Sequence, residues 1–168
     1  MTNADDAGND QSEFVRSLKT EAASLSNEEL VAGLNGTVDD FHAVSSKIPE
    51  SAWATTPAAD EWSAAQCFQH VTALNIALSK QALYVALSGD NPGYSEDTEF
   101  ESEREVAGAR HREAIDSLFA HIEAAGPTDF LEATWSLGAL GPLNWREWIV
   151  FLRTHTEEHA GQLRNLNL

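Results

Sequence analysis

The segment His155-Thr156-Glu157-Glu158-His159 contains two histidines four positions apart, with a glutamate directly before the second. Imidazole is the commonest metal-ligating side chain. On a helix this spacing puts both rings on one face, where each can place a nitrogen about 2.0–2.1 Å from a shared ion. The letters also fit the H-x-x-E-H pattern of one class of zinc peptidases. The segment therefore predicts metal chemistry, either peptidase-like or of another kind.

The peptidase interpretation can be tested on the residues that follow. Enzymes with this motif are typically much larger and take a third ligand well downstream. Residues 160–168 contain no Asp, Glu, His or Cys. We therefore expect no peptidase, and we expect any third ligand to come from upstream.

The helical face that carries the histidine pair is apolar, which argues against a solvated charge run. With successive residues about 100° apart, four residues lie within about 40° of the mean direction of His155 and His159. They are Trp148, Leu152, Gln162 and Leu166. A single histidine on such a stripe is commonly a core residue, but two buried rings without partners cost about 1–3 kcal/mol each. A metal explains the pair better than core packing, which stays as the alternative.

The first choice for the third ligand is His70, in the stretch WSAAQCFQHVTAL. It shares a predicted inward stripe with Cys67, Leu74, Ala77 and Gln81. Of the remaining histidines, His42 follows Phe41, and His121 lies on a partly apolar face. His111 stands in the charged context ARHREA and is predicted to be exposed.

The elements that position these residues are helices. Helical periodicity begins at Ser12, and alternation of period two is nearly absent, so the sequence predicts one all-α domain over residues 12–168. Residues 1–11 are acidic and aperiodic, and they predict a flexible, disordered tail. A short amphipathic helix is predicted over residues 13–23.

Four longer helices are predicted from their start and stop signals. Residues 27–47 form the first, which Pro49 ends. The other three begin at capping boxes, in which a side chain at the N-cap and one three positions later satisfy each other's backbone amides. These boxes are Ser63 with Gln66, Thr98 with Glu101, and Asn144 with Glu147. Residues 126–143 read as a loop, and the whole predicts a four-helix bundle, an architecture that builds metal sites between facing helices.

Composition excludes some partners. The chain of 168 residues has 27 acidic and 10 basic residues and a formal charge of −17, so nucleic acid and anionic membranes are not expected partners. An acidic surface with few lysines suits a halophilic cytoplasm, although acidic mesophilic proteins are common. Cys67 is the single cysteine and cannot form an internal disulfide. With no secretion signal or membrane span in the sequence, we expect a cytoplasmic protein.

The ordered combination of motifs resembles the DinB superfamily of metal-dependent four-helix bundles. The residues that carry the resemblance are Trp62-Ser63 at a helix start, His70, and a last helix with Trp148, His155, His159 and Gln162. The resemblance implies one divalent metal ion bound by His70, His155 and His159, with positions open to water or substrate. Zinc or nickel is expected first, with iron, cobalt or manganese as alternatives.

The resemblance also implies an activity, because the superfamily includes thiol-dependent enzymes such as mycothiol-dependent maleylpyruvate isomerase and bacillithiol transferases. We therefore expect a transferase or isomerase that uses a low-molecular-weight thiol on a small electrophilic substrate. The alternatives are a hydrolase that uses metal-activated water, and a non-catalytic metal-binding or stress-related homodimer.

Accessory roles are expected for three residues. Gln162 is a candidate for orienting a ligand, with core or interface packing as the alternative. Cys67 is a candidate for a fourth ligand or a thiol partner, with a buried small side chain as the alternative, and Trp135 is a candidate for a pocket wall. Ile149 and Val150 point away from the histidine face. That second apolar face predicts a homodimer, unless another segment of the chain covers it.

Overall fold

The computed structural model describes residues 4–58, 61–88 and 103–166, and it is predominantly helical. The helices are α1 (Ala4–Ser24), α2 (Asn27–Ser46), α3 (Glu50–Trp53), α4 (Ala64–Ala77), α5 (Tyr84–Leu87), α6 (Arg104–Ala124) and α7 (Trp145–Arg164). A π-helical turn, Leu78–Leu83, joins α4 to α5, so helical structure continues from Ala64 to Leu87. The expected all-α class is confirmed.

Four helices form a closed ring of packed pairs. The α2 helix packs against α7 and α6, and α4 packs against the same two helices. The largest buried side chains fill the space between them, among them Trp148, Phe41, Phe68 and Leu34. Within the described residues, no helix is both long and apolar enough to cross a membrane.

Three predicted helix starts are confirmed, at Asn27, Ala64 and Trp145, whereas the helix predicted over residues 13–23 begins earlier, at Ala4. The Ser63 hydroxyl accepts the Gln66 amide N–H, and the Gln66 side chain accepts the Ser63 amide N–H. Asn144 and Glu147 form the same arrangement at the start of α7. The predicted capping box of Thr98 and Glu101 lies outside the described residues, and α6 begins at Arg104.

Two expectations about the chain's irregular parts are corrected. The predicted tail over residues 1–11 is not confirmed: residues 4–11 lie in α1, and residues 1–3 lie outside the described residues. The segment contains no proline, and extending an existing helix by one residue is far easier than starting one. The loop over residues 126–143 contains a small antiparallel hairpin of β1 (Trp135–Ser136) and β2 (Pro142–Leu143). Two-residue strands are too short to show alternation in sequence.

The α1 helix covers the second apolar face of α7. Ile149 and Val150 are each 1% exposed and lie in one core cluster with residues of α1. Arg146 fixes this contact, because its buried guanidinium donates to the backbone carbonyls of Ala22 and Leu25 at the C-terminal end of α1. A cation there complements the negative end of the helix dipole. The surface on which the homodimer prediction rested is therefore buried within the chain.

A buried polar network takes one residue from each helix of the ring: His42, His111, Asn75 and Thr156. The Asn75 Nδ2 donates to Thr156 Oγ1 at 3.0 Å and to His111 Nε2 at 3.0 Å. His111 Nε2 is thus an acceptor, so the ring hydrogen lies on Nδ1, which donates to His42 Nε2 at 3.0 Å. The prediction that His111 is exposed is wrong, since it is 0% exposed.

We predict that His111 makes the metal-free protein less stable in mild acid. Burial first, then neighbouring His42 and Arg112, lower the pKa of His111 from 6.5 to about 3. The unfolded chain binds this proton near pH 6.5, but the folded protein does not until about pH 3. The free energy of unfolding therefore falls as the pH drops below 6.5, by about 1.4 kcal/mol per pH unit from this residue.

Urea unfolding at pH 7.5 and 5.5 with a chelator present measures this effect. His111→Gln keeps a side chain that can donate and accept hydrogen bonds but cannot take up a proton. Between the two pH values the wild type should lose about 1.4 kcal/mol more than the variant. Equal losses in both proteins would contradict the prediction.

Candidate metal centre

The three predicted histidine ligands lie together between α4 and α7. His70 follows the N-cap Ser63 by seven positions, while His155 and His159 lie one turn apart on α7. Their candidate ligand atoms all lie within 4.8 Å of one another. Within the part of the chain that the structure describes, these histidines form the one group of three or more His, Cys, Asp or Glu side chains that could hold an ion together.

The three rings point the same kind of nitrogen at one another. His155 Nε2 is 3.1 Å from His70 Nε2 and 3.2 Å from His159 Nε2. Two nitrogens each about 2.0–2.1 Å from one ion lie about 2.8–3.4 Å apart at tetrahedral or octahedral angles. Both separations from His155 therefore fit a shared ion, and the remaining pair, His70 and His159, lies within 4.8 Å.

Hydrogen bonds alone cannot account for this cluster. An imidazole nitrogen carries either one lone pair or one hydrogen in the ring plane. His155 Nε2 can therefore make a hydrogen bond with His70 or with His159, but not with both. Whichever neutral tautomers are chosen, one close contact stays unsatisfied. A cation among the three Nε2 atoms satisfies all of them.

Burial keeps the rings in the form that binds metal. Burial, followed by the proximity of His159 and His70, lowers the pKa of His155 from 6.5 to about 3. Burial and then His159 also lower the pKa of His70. Both rings are therefore neutral near pH 7, and a neutral imidazole has the lone pair that ligation requires.

Comparison with known protein families places most of the chain in one family. The family model described as the DinB superfamily matches residues 33–163, a stretch that includes all three histidines. The chain belongs to the DinB superfamily. The resemblance read from the sequence motifs is thus confirmed. No curated protein and no solved structure matches the chain.

In this DinB-superfamily chain, Gln162, which was predicted to orient a ligand, is hydrogen-bonded to one of the candidate ligands. Its Oε1 lies 2.8 Å from His159 Nδ1 and accepts the N–H there, which leaves the Nε2 lone pair directed at the other two histidines. Such a partner fixes both the tautomer and the orientation of a ligating ring.

Cys67 lies behind the site rather than among its ligands. Its Sγ is 3.6 Å from His159 Nδ1 and 3.7 Å from Gln162 Oε1, on the side of the ring away from the Nε2 cluster. Burial raises the pKa of the Cys67 thiol to about 12, so it stays protonated and able to donate to Gln162. It fits the role of a small buried side chain better than that of a fourth ligand.

Trp135, which was expected to form a pocket wall, is separated from the candidate ligand histidines by two aromatic rings. It is buried and stacks on Trp148 at a centroid distance of 5.3 Å. Trp148 meets the edge of Phe151, which in turn stacks on His155 at 5.5 Å. Trp135 therefore supports the site from within the core.

Trp62 is the aromatic residue that sequence reasoning overlooked as part of the site. Its ring lies 4.9 Å from that of His70 and 6.0 Å from that of His159, measured between centroids. A tryptophan directly before a capping box is also a common helix-start feature, so its position suggested packing rather than function. Only the fold brings α7 alongside it.

Gln162→Leu should weaken metal binding without unfolding the DinB domain. The substitution removes the acceptor for His159 Nδ1–H, and loss of such a partner typically costs about 10–100-fold in metal affinity. Gln162→Glu keeps an acceptor oxygen and serves as the matched control. Zinc titration of the metal-free proteins by calorimetry gives the affinities, and circular dichroism checks helicity. Wild-type affinity in Gln162→Leu would refute the orienting role.

Proposed function

We propose that this protein is a divalent-metal-dependent enzyme that acts on a small electrophilic substrate with the help of a low-molecular-weight thiol. It either joins the thiol to the substrate or uses the thiol to isomerise the substrate. The observation that carries the metal site is the convergence of three Nε2 atoms from His70, His155 and His159. Membership of a family that typically binds metal supports it. We propose further that the ring of α2, α4, α6 and α7 is the four-helix bundle of that family.

The donor set favours catalysis over a purely structural ion. Three neutral imidazoles leave the ion its full charge, and three protein ligands leave at least one position open, whereas structural sites are usually closed by four. When bound, a divalent ion supplies Lewis acidity that lowers the pKa of a coordinated thiol or water. Imidazole ligands suit zinc or nickel, and also iron, cobalt or manganese.

The chain's own residues hold and shield the site. Gln162 keeps the hydrogen on His159 Nδ1, so Nε2 faces the other two ligand rings. Phe151 stacks on His155 and excludes water from that side. The three candidate ligands include no carboxylate, and Cys67 stays protonated, so no negative side chain of this group would offset the charge of the ion, which favours an anionic ligand such as a thiolate.

Metal content tests the site itself. Protein purified without added metal should carry close to one divalent ion per chain by mass spectrometry. His155→Ala should lose most of it, since His155 Nε2 is the atom that contacts both other histidines. His121→Ala, on α6 with its Nδ1 at a backbone carbonyl, is the matched control and should keep wild-type content. Equal metal in wild type and His155→Ala would refute the three-histidine site.

The thiol-dependent activity can be measured with 1-chloro-2,4-dinitrobenzene and 2-mercaptoethanol. The sulfur forms a bond to the ring carbon, chloride leaves with the bonding electron pair, and the thiol proton passes to solvent. Metal-loaded protein should accelerate this reaction over chelator-treated protein. Hydrolysis of p-nitrophenyl acetate without thiol would instead favour the metal-water hydrolase. Absence of both activities would favour a non-catalytic metal-binding protein.

A further inference from the structure

Trp62 is exposed although tryptophan is normally buried. Its side chain is 40% exposed, while the other four tryptophans of the chain are at most 7% exposed. The indole lies against two candidate ligand rings, at 64° to the plane of His70 and within 6° of parallel to His159. An apolar ring fixed in water at the border of a polar site has free surface that a ligand can cover.

Among the described residues, other side chains lie on two sides of the histidine cluster. Phe151 stacks on His155 with 27° between the ring planes. Cys67 and Gln162 lie on the Nδ1 side of His159. Of these neighbours, Cys67 is buried and Phe151 and Gln162 are partly buried, whereas Trp62 is exposed, so a ligand that approaches beside Trp62 meets the indole.

We infer that Trp62 is a stacking platform that selects ligands with a flat, apolar body that carries an anionic donor group. This inference rests on the proposed function, because the donor atom binds the ion held by the three histidines. The donor is anionic because three neutral imidazoles leave the ion's positive charge uncompensated. The same charge disfavours cations, which would otherwise be attracted to the indole face.

The preference for a flat ligand follows from the geometry of aromatic stacking. Aromatic pairs are worth up to about tenfold in affinity beyond the apolar area they bury, and they need a planar partner to stack. A saturated ring of similar size buries comparable area but cannot stack face to face. Planarity should therefore be recognised separately from hydrophobicity.

Cobalt-substituted protein gives a direct binding assay, because thiolate coordination changes the visible absorption. Thiophenol and cyclohexanethiol are the two probes, one planar and one saturated. Trp62→Leu should weaken thiophenol binding about three- to tenfold more than cyclohexanethiol binding. Trp62→Phe keeps a ring and should lie close to wild type. Cobalt uptake, measured in each variant, shows that the three histidines still bind metal.

The outcomes separate this inference from the proposed function. An equal loss for both probes, or no loss, would overturn the stacking role of Trp62. If the wild-type cobalt protein bound neither thiol, the thiol-dependent function would fail instead. Benzoate and cyclohexanecarboxylate, tested in the same variants, then decide the role of Trp62 without sulfur: a larger loss for benzoate supports it, and equal losses overturn it.

Discussion

The register between α4 and α7 is the constraint on which the rest of the structure depends, because one supplies His70 and the other His155 and His159. Polar contacts hold it: Asn75 donates to Thr156, and Cys67 lies against both Gln162 and His159. A slip of one helical turn moves a helix by about 5.4 Å. That would break these contacts and separate Nε2 atoms now 3.1 and 3.2 Å apart. Buried polar pairs are costly to leave unmatched, so they disfavour such slips.

Burial keeps the inner histidines uncharged, whereas the chain as a whole carries a large negative charge. The chain carries a formal charge of −17, but His155 and His111 are held neutral by desolvation. Neutral rings serve two purposes here. In the site they present lone pairs to a cation, and in the network of His42, His111, Asn75 and Thr156 they act as both donor and acceptor. The neutral form of histidine thus stabilises the contacts among the four helices and also suits the candidate metal centre.

Much of the candidate site could be predicted because it depends on patterns among residues that are close together in the sequence. Capping boxes at Ser63 and Asn144 fix where α4 and α7 begin, and helical geometry then fixes which face carries each histidine. The errors arose where a residue's neighbours come from another helix. His111 sits among charged residues in sequence, yet its own direction on α6 points it at His42 and Asn75. For the same reason Trp135, which was expected to form a pocket wall, lies in the core, and Trp62, whose position suggested packing, borders the site.

The sequence by itself determined the all-α class, the start of each capped helix that the structure describes, and the inward face that His155 and His159 share. These follow from periodicity and side-chain chemistry, which act over one or two helical turns. The tertiary structure alone decided that α1 covers Ile149 and Val150, that Cys67 lies behind His159, and that Trp62 borders the site. Such contacts depend on how helices distant in sequence pack, and a linear pattern does not record which helix faces which.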